Sequence, residues 1–321
     1  MRRSRWEAWT RQPAWFALIL MVISIVINFI LQPNMFAGGT LNNNMRVFLP
    51  IILLTVGQAI VILGGGIDIS VGGIVSIVNA VMATRIGLEG SPEQMWTYVL
   101  ISLLIGLLAG SINGFFISTL RLQPIITTYA TSFLYVGLAL YILPNPGGGI
   151  PGAIAAFYRN SRPLNIPLAF YVIASVLLIW WYASSTRYGK FLYAVGGKAE
   201  AAYETAVPVT RVQFGTYVAS GLMAALAGIA MTMLSGSGNA EIGVPMTLTS
   251  ITAVVIGGNA LTGGVGGVAG PVMGAITLGI IQNIISFAAI DTWWETLVKA
   301  TIIVLALATP GIVNLFRRRR I

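Results

Sequence analysis

Asp68 lies in the run Gly64-Gly65-Gly66-Ile67-Asp68-Ile69-Ser70-Val71-Gly72-Gly73, with apolar sequence on both sides. A carboxylate in such surroundings is costly to bury and marks a functional site by default. Two chemistries fit it. Asp68 could contact a polar solute, or Asp68 or Ser70 could cap the helix that follows by accepting its first N–H groups. Around it the apolar stretches carry uncharged polar residues: Gln58, Asn79, Asn113, Thr127, Thr128, Thr131, Gln282 and Asn283. Amides and hydroxyls both donate and accept, which suits passage of a neutral, hydroxylated solute. The same groups can instead bond helix to helix. Gln58, Asp68, Ser70, Asn79, Asn113, Thr127, Thr128 and Asn283 form the expected substrate pathway.

Other chemistries find no residues. The chain has no histidine and no cysteine. No metal centre or disulfide framework is expected, and the commonest general base is missing. We find no catalytic constellation and expect no enzyme activity. Gly263-Gly264-Val265-Gly266-Gly267 has no βαβ unit around it, so it is not a dinucleotide fingerprint, and no P-loop motif occurs. The chain is expected to hold no cofactor of its own.

The elements that must position these residues are membrane helices. Of 321 residues, 56% are hydrophobic and 8% charged, against about 25% charged in a soluble domain. Ten apolar segments follow one another, at roughly 14–32, 48–64, 69–84, 98–118, 124–143, 167–184, 213–235, 248–257, 267–290 and 296–316. Their length fits spanning helices rather than the short alternating strands of a barrel. The expected fold is all-α: a polytopic membrane protein of about ten transmembrane helices, one membrane-spanning domain over 1–321. The third and eighth segments are short, as expected of broken helices lining a cavity. The first apolar run, after Arg2, Arg3, Arg5 and Arg11, is too long for a signal peptide and reads as an uncleaved helix.

Charge sets the orientation. With the N-terminus in the cytoplasm, ten crossings place Arg2, Arg3, Arg5, Arg11, Arg121, Arg187, Lys190, Lys198, Arg211 and Arg317 to Arg320 inside. Only Arg46, Arg85, Arg159 and Arg162 fall outside, and Lys299 lies in the last segment. This positive-inside bias puts both termini in the cytoplasm. It also accounts for the net charge of +9 without nucleic acid as a partner. Membrane lipid is the expected surrounding. Glu295 and Lys299 are spaced as a helical ion pair, beside the interfacial anchors Trp293 and Trp294.

Three connections stand out. Residues 144–166 form a Pro/Gly-rich outer loop, and 257–267 a glycine-rich turn. Val61-Ile62-Leu63-Gly64-Gly65-Gly66 is echoed by Val254-Val255-Ile256-Gly257-Gly258-Asn259. Paired glycine-interrupted segments point to a transport site built on an internal repeat, although close helix packing also selects glycine. The third connection, 185–212, is the only sizeable cytoplasmic loop. Gly196-Gly197 opens a helix-prone run and Pro208 closes it. Lys198, Glu200, Ala201, Ala202 and Glu204 lie on a short helix suited to docking a soluble partner; an ordinary connecting loop is the alternative.

These stretches together resemble the permease subunits of ribose-type ABC sugar importers. The match runs through Gly65 to Gly72, Gly110-Ser111-Ile112-Asn113-Gly114 and Gln123-Pro124-Ile125-Ile126-Thr127-Thr128. It continues through Tyr188 to Ala202, Ala253-Val254-Val255-Ile256-Gly257-Gly258 and Gly263-Gly264-Val265-Gly266, over roughly 48–310. Two stretches depart from the family. Thr205-Ala206-Val207 stands where Ser-Gly-Ile is usual, and Thr247-Leu248-Thr249 where Glu-Leu-Asp is usual. The resemblance implies a bacterial inner-membrane permease of a sugar or sugar-like solute, working by alternating access. It implies two ABC ATPase subunits that hold ATP and Mg, a periplasmic solute-binding protein, and a second permease chain. The two departures raise the case that this second chain is not identical. The segment around 198–204 matches the family's coupling helix. The rival reading is an ion-coupled secondary transporter, for which Asp68 is the only plausible intramembrane relay.

Overall fold

The computed structural model describes residues 14–289, and beyond them 291, 293, 294, 297, 300 and 301. All of the expected tenth segment but 297, 300 and 301, the Glu295–Lys299 pair and both basic termini lie outside the described residues.

Twelve α-helices and no strand occur among the described residues. They are α1 (Ala14–Leu31), α2 (Gly38–Leu63), α3 (Val71–Arg85), α4 (Pro92–Gly114), α5 (Pro124–Ile142) and α6 (Gly152–Asn160). They continue as α7 (Leu168–Ser185), α8 (Arg187–Gly197), α9 (Ala199–Glu204), α10 (Val209–Ser235), α11 (Val244–Ile256) and α12 (Ala269–Phe287). A π-helical turn, Phe115–Thr119, extends α4. Among the described residues, α2, α4 with its extension, α5, α7, α10 and α12 are long and apolar enough to cross a membrane. Ala17–Leu31, α3 and α11 are shorter apolar helices.

Three of the expected boundaries move. α2 begins ten residues before the expected segment, because Asn42, Asn43, Asn44 and Arg46 dilute its hydropathy without breaking the helix. The Pro/Gly-rich connection 144–166 contains α6, and the connection 185–212 contains two helices, α8 and α9. α3 and α11, with 15 and 13 residues, rise only about 20 Å at 1.5 Å per residue, short of a hydrocarbon core of about 30 Å.

α10 is the central helix, packed on α4, α2 and α3; α3 also packs on α5, and α12 on α1 and α11. The α4–α10 contact is made by glycines at four-residue spacing. A Cβ on Gly106 would overlap the Gly221 carbonyl, and one on Gly110 the Tyr217 carbonyl. Small residues at this spacing let helix backbones touch where lipid gives no hydrophobic drive for association. The apolar window of α2 is 78% buried and that of α7 11%. α2 therefore lies at the heart of the bundle and α7 on its rim. α4 starts with a capping box, Ser91 Oγ accepting from Gln94 N–H and Gln94 Oε1 from Ser91 N–H, the reciprocal arrangement that satisfies two free donors.

Candidate functional site

The chain leaves helical geometry between α2 and α3. α2 ends in a Schellman motif: Gly66 N–H donates to Val61 O at 3.0 Å and Gly65 N–H to Ile62 O at 2.9 Å. Gly65 takes φ +84°, a left-handed seat that glycine fills without steric cost. The next four residues are non-helical backbone inside the bundle, and each polar group there needs a partner.

Side chains from three helices supply those partners. The Gln58 amide on α2 donates to Asp68 O at 2.9 Å and accepts from Asp68 N–H at 3.3 Å, taking both main-chain groups of one residue. Thr128 Oγ1 on α5 accepts from Ile69 N–H at 3.0 Å and lies 3.2 Å from Ile67 O. Thr247 Oγ1 on α11 accepts from Gly72 N–H at 3.2 Å. The capping expectation holds for Asp68 only at the N-cap residue, Ser70, from whose N–H it accepts; the Ser70 side chain makes no cap bond. The bond to Gly72 comes from another helix, which reaches so near because the Gly72 and Gly243 backbones touch.

The Asp68 carboxylate has no solvent exposure. Its Oδ1 accepts from Ser70 N–H at 3.0 Å and Ser70 Oγ at 2.7 Å, and its Oδ2 from Ser220 Oγ on α10 at 2.9 Å. The chain of donors runs further. Asn113 Nδ2 donates to Ser70 Oγ, and Thr131 Oγ1 to Asn113 Oδ1, both at 2.7 Å. Each hydroxyl or amide passes its hydrogen toward Asp68, and a carboxylate, which accepts only, is a natural end for such a chain. With Gln58, Thr128 and Thr247, side chains of five helices meet at the α2–α3 break: α2, α4, α5, α10 and α11.

The remaining expected pathway residues lie elsewhere. Asn79, fully buried, donates to Thr232 Oγ1 and Ser237 O and accepts from Asn239 N–H, tying α3 to the loop after α10. Thr127 lines an apolar groove with Phe116, Leu122 and Ile126 and donates to Gln123 O within its own helix. Asn283 on α12 has a buried amide nitrogen with no partner among the described residues. A separate cleft of ≈ 290 Å³ opens between α2, α10, α11 and α12, lined by Phe48, Pro50, Met231, Met246, Thr249 and Gln282 among others. Sequence reasoning missed Ser220, one hydroxyl in a 27-residue apolar helix, whose bond spans 152 positions.

A second break follows α11 and repeats the first. Asn259 N–H donates to Val254 O at 3.3 Å and Gly258 N–H to Val255 O at 3.0 Å, with Gly258 at φ +87°. An amide again takes both main-chain groups of one residue. Asn259 Nδ2 donates to Gly267 O at 2.9 Å and its Oδ1 accepts from Gly267 N–H at 3.0 Å.

The expected coupling segment sits where the two breaks converge. Lys198 is extended, and α9 follows as one short helix. Lys198, Glu200, Ala201, Tyr203 and Glu204 are exposed. Ala202 is turned inward, buried with Leu63, Leu192, Val195, Val207 and Val212, so it holds α9 to the body. Arg121, Glu200, Tyr203 and Glu204 line one groove of ≈ 670 Å³ between α9 and the α4–α5 turn.

An all-helical bundle with several helices long and apolar enough to cross a membrane, broken around a bonded polar cluster and with a short exposed helix against the breaks, is built as a membrane permease. The chain belongs to the family described as branched-chain amino acid transport system / permease component, whose model matches residues 40–307. It is 30% identical over 310 residues to the ribose import permease protein RbsC of Escherichia coli K12, with 95% of each chain covered. It is 33% identical over 297 residues to the fructose import permease protein FruG of Bifidobacterium longum, covering 89% of this chain and 86% of that one. It is 32% identical over 290 residues to RbsC of Bacillus subtilis, covering 89% of both. No solved structure matches the chain significantly.

Proposed function

We propose that this chain is the membrane-spanning half of an ATP-binding-cassette importer for a sugar or a similarly neutral, hydroxylated solute. It works in a bacterial plasma membrane, crosses it about ten times and keeps both termini in the cytoplasm. Its partners are two ATPase subunits carrying ATP and Mg, a periplasmic solute-binding protein and a second permease chain. Solute passes by alternating access, which the ATPases can drive only through contacts that differ between their two states.

The observation that carries this reading is end-to-end similarity, over 95% of both chains, to a ribose import permease. The geometry supports it: a short helix with an exposed charged face lies against the point where two membrane helices break. We place the solute path along the cleft of Thr249 and Gln282. Gln58, Asp68, Ser70, Asn113 and Thr128 form the hinge wall behind it, Asn79 anchors the loop after α10, and Thr127 and Asn283 flank the moving helices. Glu200, Ala201, Glu204 and Lys198 face the ATPase, and Ala202 positions them.

Two measurements test this. Reconstituted with the ATPase and binding protein encoded beside it, the chain should hydrolyse ATP faster when loaded binding protein is added. A rate indifferent to solute rejects the importer. Because the chain has no cysteine, single cysteines can map the docked face. Cysteines at 200, 201 and 204 should crosslink to the ATPase, and one at the buried position 202 should not.

A further inference from the structure

Three glycine turns that are far apart in sequence meet at one point. They are the end of α2 (Gly64–Gly66), the end of α8 (Gly196) and the loop between α11 and α12 (Gly263-Gly264). Gly264 N–H donates to Leu63 O at 3.1 Å. A Cβ on Gly196 would overlap that same Leu63 carbonyl, and one on Gly263 would press on the Gly196 carbonyl and the Gly65 main chain. Tyr193 Oη on α8 donates to Gly266 O at 3.1 Å, one residue from the Gly267 held by Asn259.

From this we infer that Gly196, with Gly65, Gly263 and Gly264, forms a rigid joint. Through it a displacement of α9 reaches both helix breaks together, and Gly196 and Tyr193 are positioning residues for transport. The inference rests on the importer reading and adds the route by which ATPase motion enters the membrane. Main chain packed on main chain has no side-chain rotamers to absorb movement. Close-packed contacts of this kind shift as a unit rather than deforming continuously. Leu63 is one residue from the break, and Gln58 on the same helix grips Asp68 at both main-chain groups. At the other break Tyr193 pulls on the loop that Asn259 clamps. α9 follows Gly196 after two residues, so its movement is passed directly to the joint.

Neighbouring glycines provide the test. Gly196→Ala must wedge the joint open, whereas a Cβ at Gly197 meets nothing within 4 Å. Tyr193→Phe removes one hydrogen bond without adding volume. The complete importer is reconstituted, and assembly, basal ATPase rate and solute moved per ATP are measured for each variant. Expected are normal assembly and basal ATPase rate throughout, wild-type transport for Gly197→Ala, and a fall in solute per ATP of about tenfold for Gly196→Ala. A smaller fall, about threefold, is expected for Tyr193→Phe. If Gly196→Ala does not assemble, Tyr193→Phe decides. Wild-type solute per ATP in every assembled variant at positions 193 and 196 overturns the joint. A loss as deep in Gly197→Ala as in Gly196→Ala also overturns it. Failure of solute to stimulate ATPase in the unmodified complex would instead reject the importer reading itself.

Discussion

At Gly65 and at Gly258 a membrane helix ends in the same way. Each end has a left-handed glycine and the two backward hydrogen bonds of a Schellman motif. Near each break a side-chain amide takes both the N–H and the C=O of one loop residue: Gln58 for Asp68, Asn259 for Gly267. The contents then differ. The first break encloses a carboxylate bonded to Ser70 and Ser220 and reached through Asn113 and Thr131. The second is filled by glycine main chain and touches α8 through Tyr193. A shared frame thus serves two ends of one device. One break fixes where five helices meet, and the other adds the Tyr193 bond to the contact that α8 makes with the first through Gly196.

The comparison is broken most severely at Asp68. Asp68→Ala would leave Ser70 N–H, Ser70 Oγ and Ser220 Oγ without their acceptor in a fully buried site. An orphaned buried group costs about 1–3 kcal/mol. Loss of folded protein in detergent, with no uptake, is the expected outcome. Asp68→Asn keeps one oxygen for Ser70 and turns its NH₂ toward Ser220, so folded protein should be recovered. Wild-type yield and uptake in both variants would show that the carboxylate has no part in the first break.

The two amide clamps test whether the frames are energetically alike. Gln58→Leu strips two main-chain groups of their partners where nothing is exposed. Asn259→Leu does so in the connection 257–268 between α11 and α12, among glycines, with Asn259 itself 5% exposed. Water can replace the lost bonds more easily there. We expect Gln58→Leu to cost about 2–4 kcal/mol in denaturation midpoint studies and Asn259→Leu about half as much. Equal losses would mean that the second break is as sealed as the first.

Much of this frame is readable before any coordinates. A glycine triplet closing an apolar run marks a helix end, and its echo at Gly257-Gly258 marks another. α9 falls between the Gly196-Gly197 opening and Pro208 because glycine and proline stop helices for local reasons. A residue whose bond is local, such as Thr127 donating to Gln123 O one turn back, also shows in the polar inventory. What cannot be read is any bond that depends on which helices become neighbours. Ser220 and Thr247 look like ordinary hydroxyls in apolar helices until α10 and α11 are packed beside the break. Ala202 reads as part of a docking face until the fold turns it inward. The first ten residues of α2 escape because three asparagines lower hydropathy where helical hydrogen bonding continues.

The mildest test concerns a third helix end, which uses the same motif with the wrong residue. At the end of α9, Val207 N–H donates to Ala202 O at 3.1 Å and Ala206 N–H to Tyr203 O at 3.0 Å. Ala202 and Val207 pack together in one buried cluster, the apolar contact that often accompanies a Schellman turn. The left-handed seat is Ala206, at φ +61°. There a Cβ costs about 1–2 kcal/mol, against about 0.5–1 kcal/mol for the extra freedom glycine loses on folding. Ala206→Gly should therefore stabilise α9 by about 0.5–1 kcal/mol, seen as slower amide hydrogen exchange confined to residues 199–207. Gly65→Ala is the reverse exchange in an equivalent seat. Its Cβ would lie 3.5 Å from the Gly196 Cα, an ordinary contact, so its loss should be conformational and of similar size. If Ala206→Gly leaves exchange unchanged while Gly65→Ala destabilises, the glycines at the two breaks are required by the packing around them. Opposite shifts of similar size would show that the left-handed turn alone explains them.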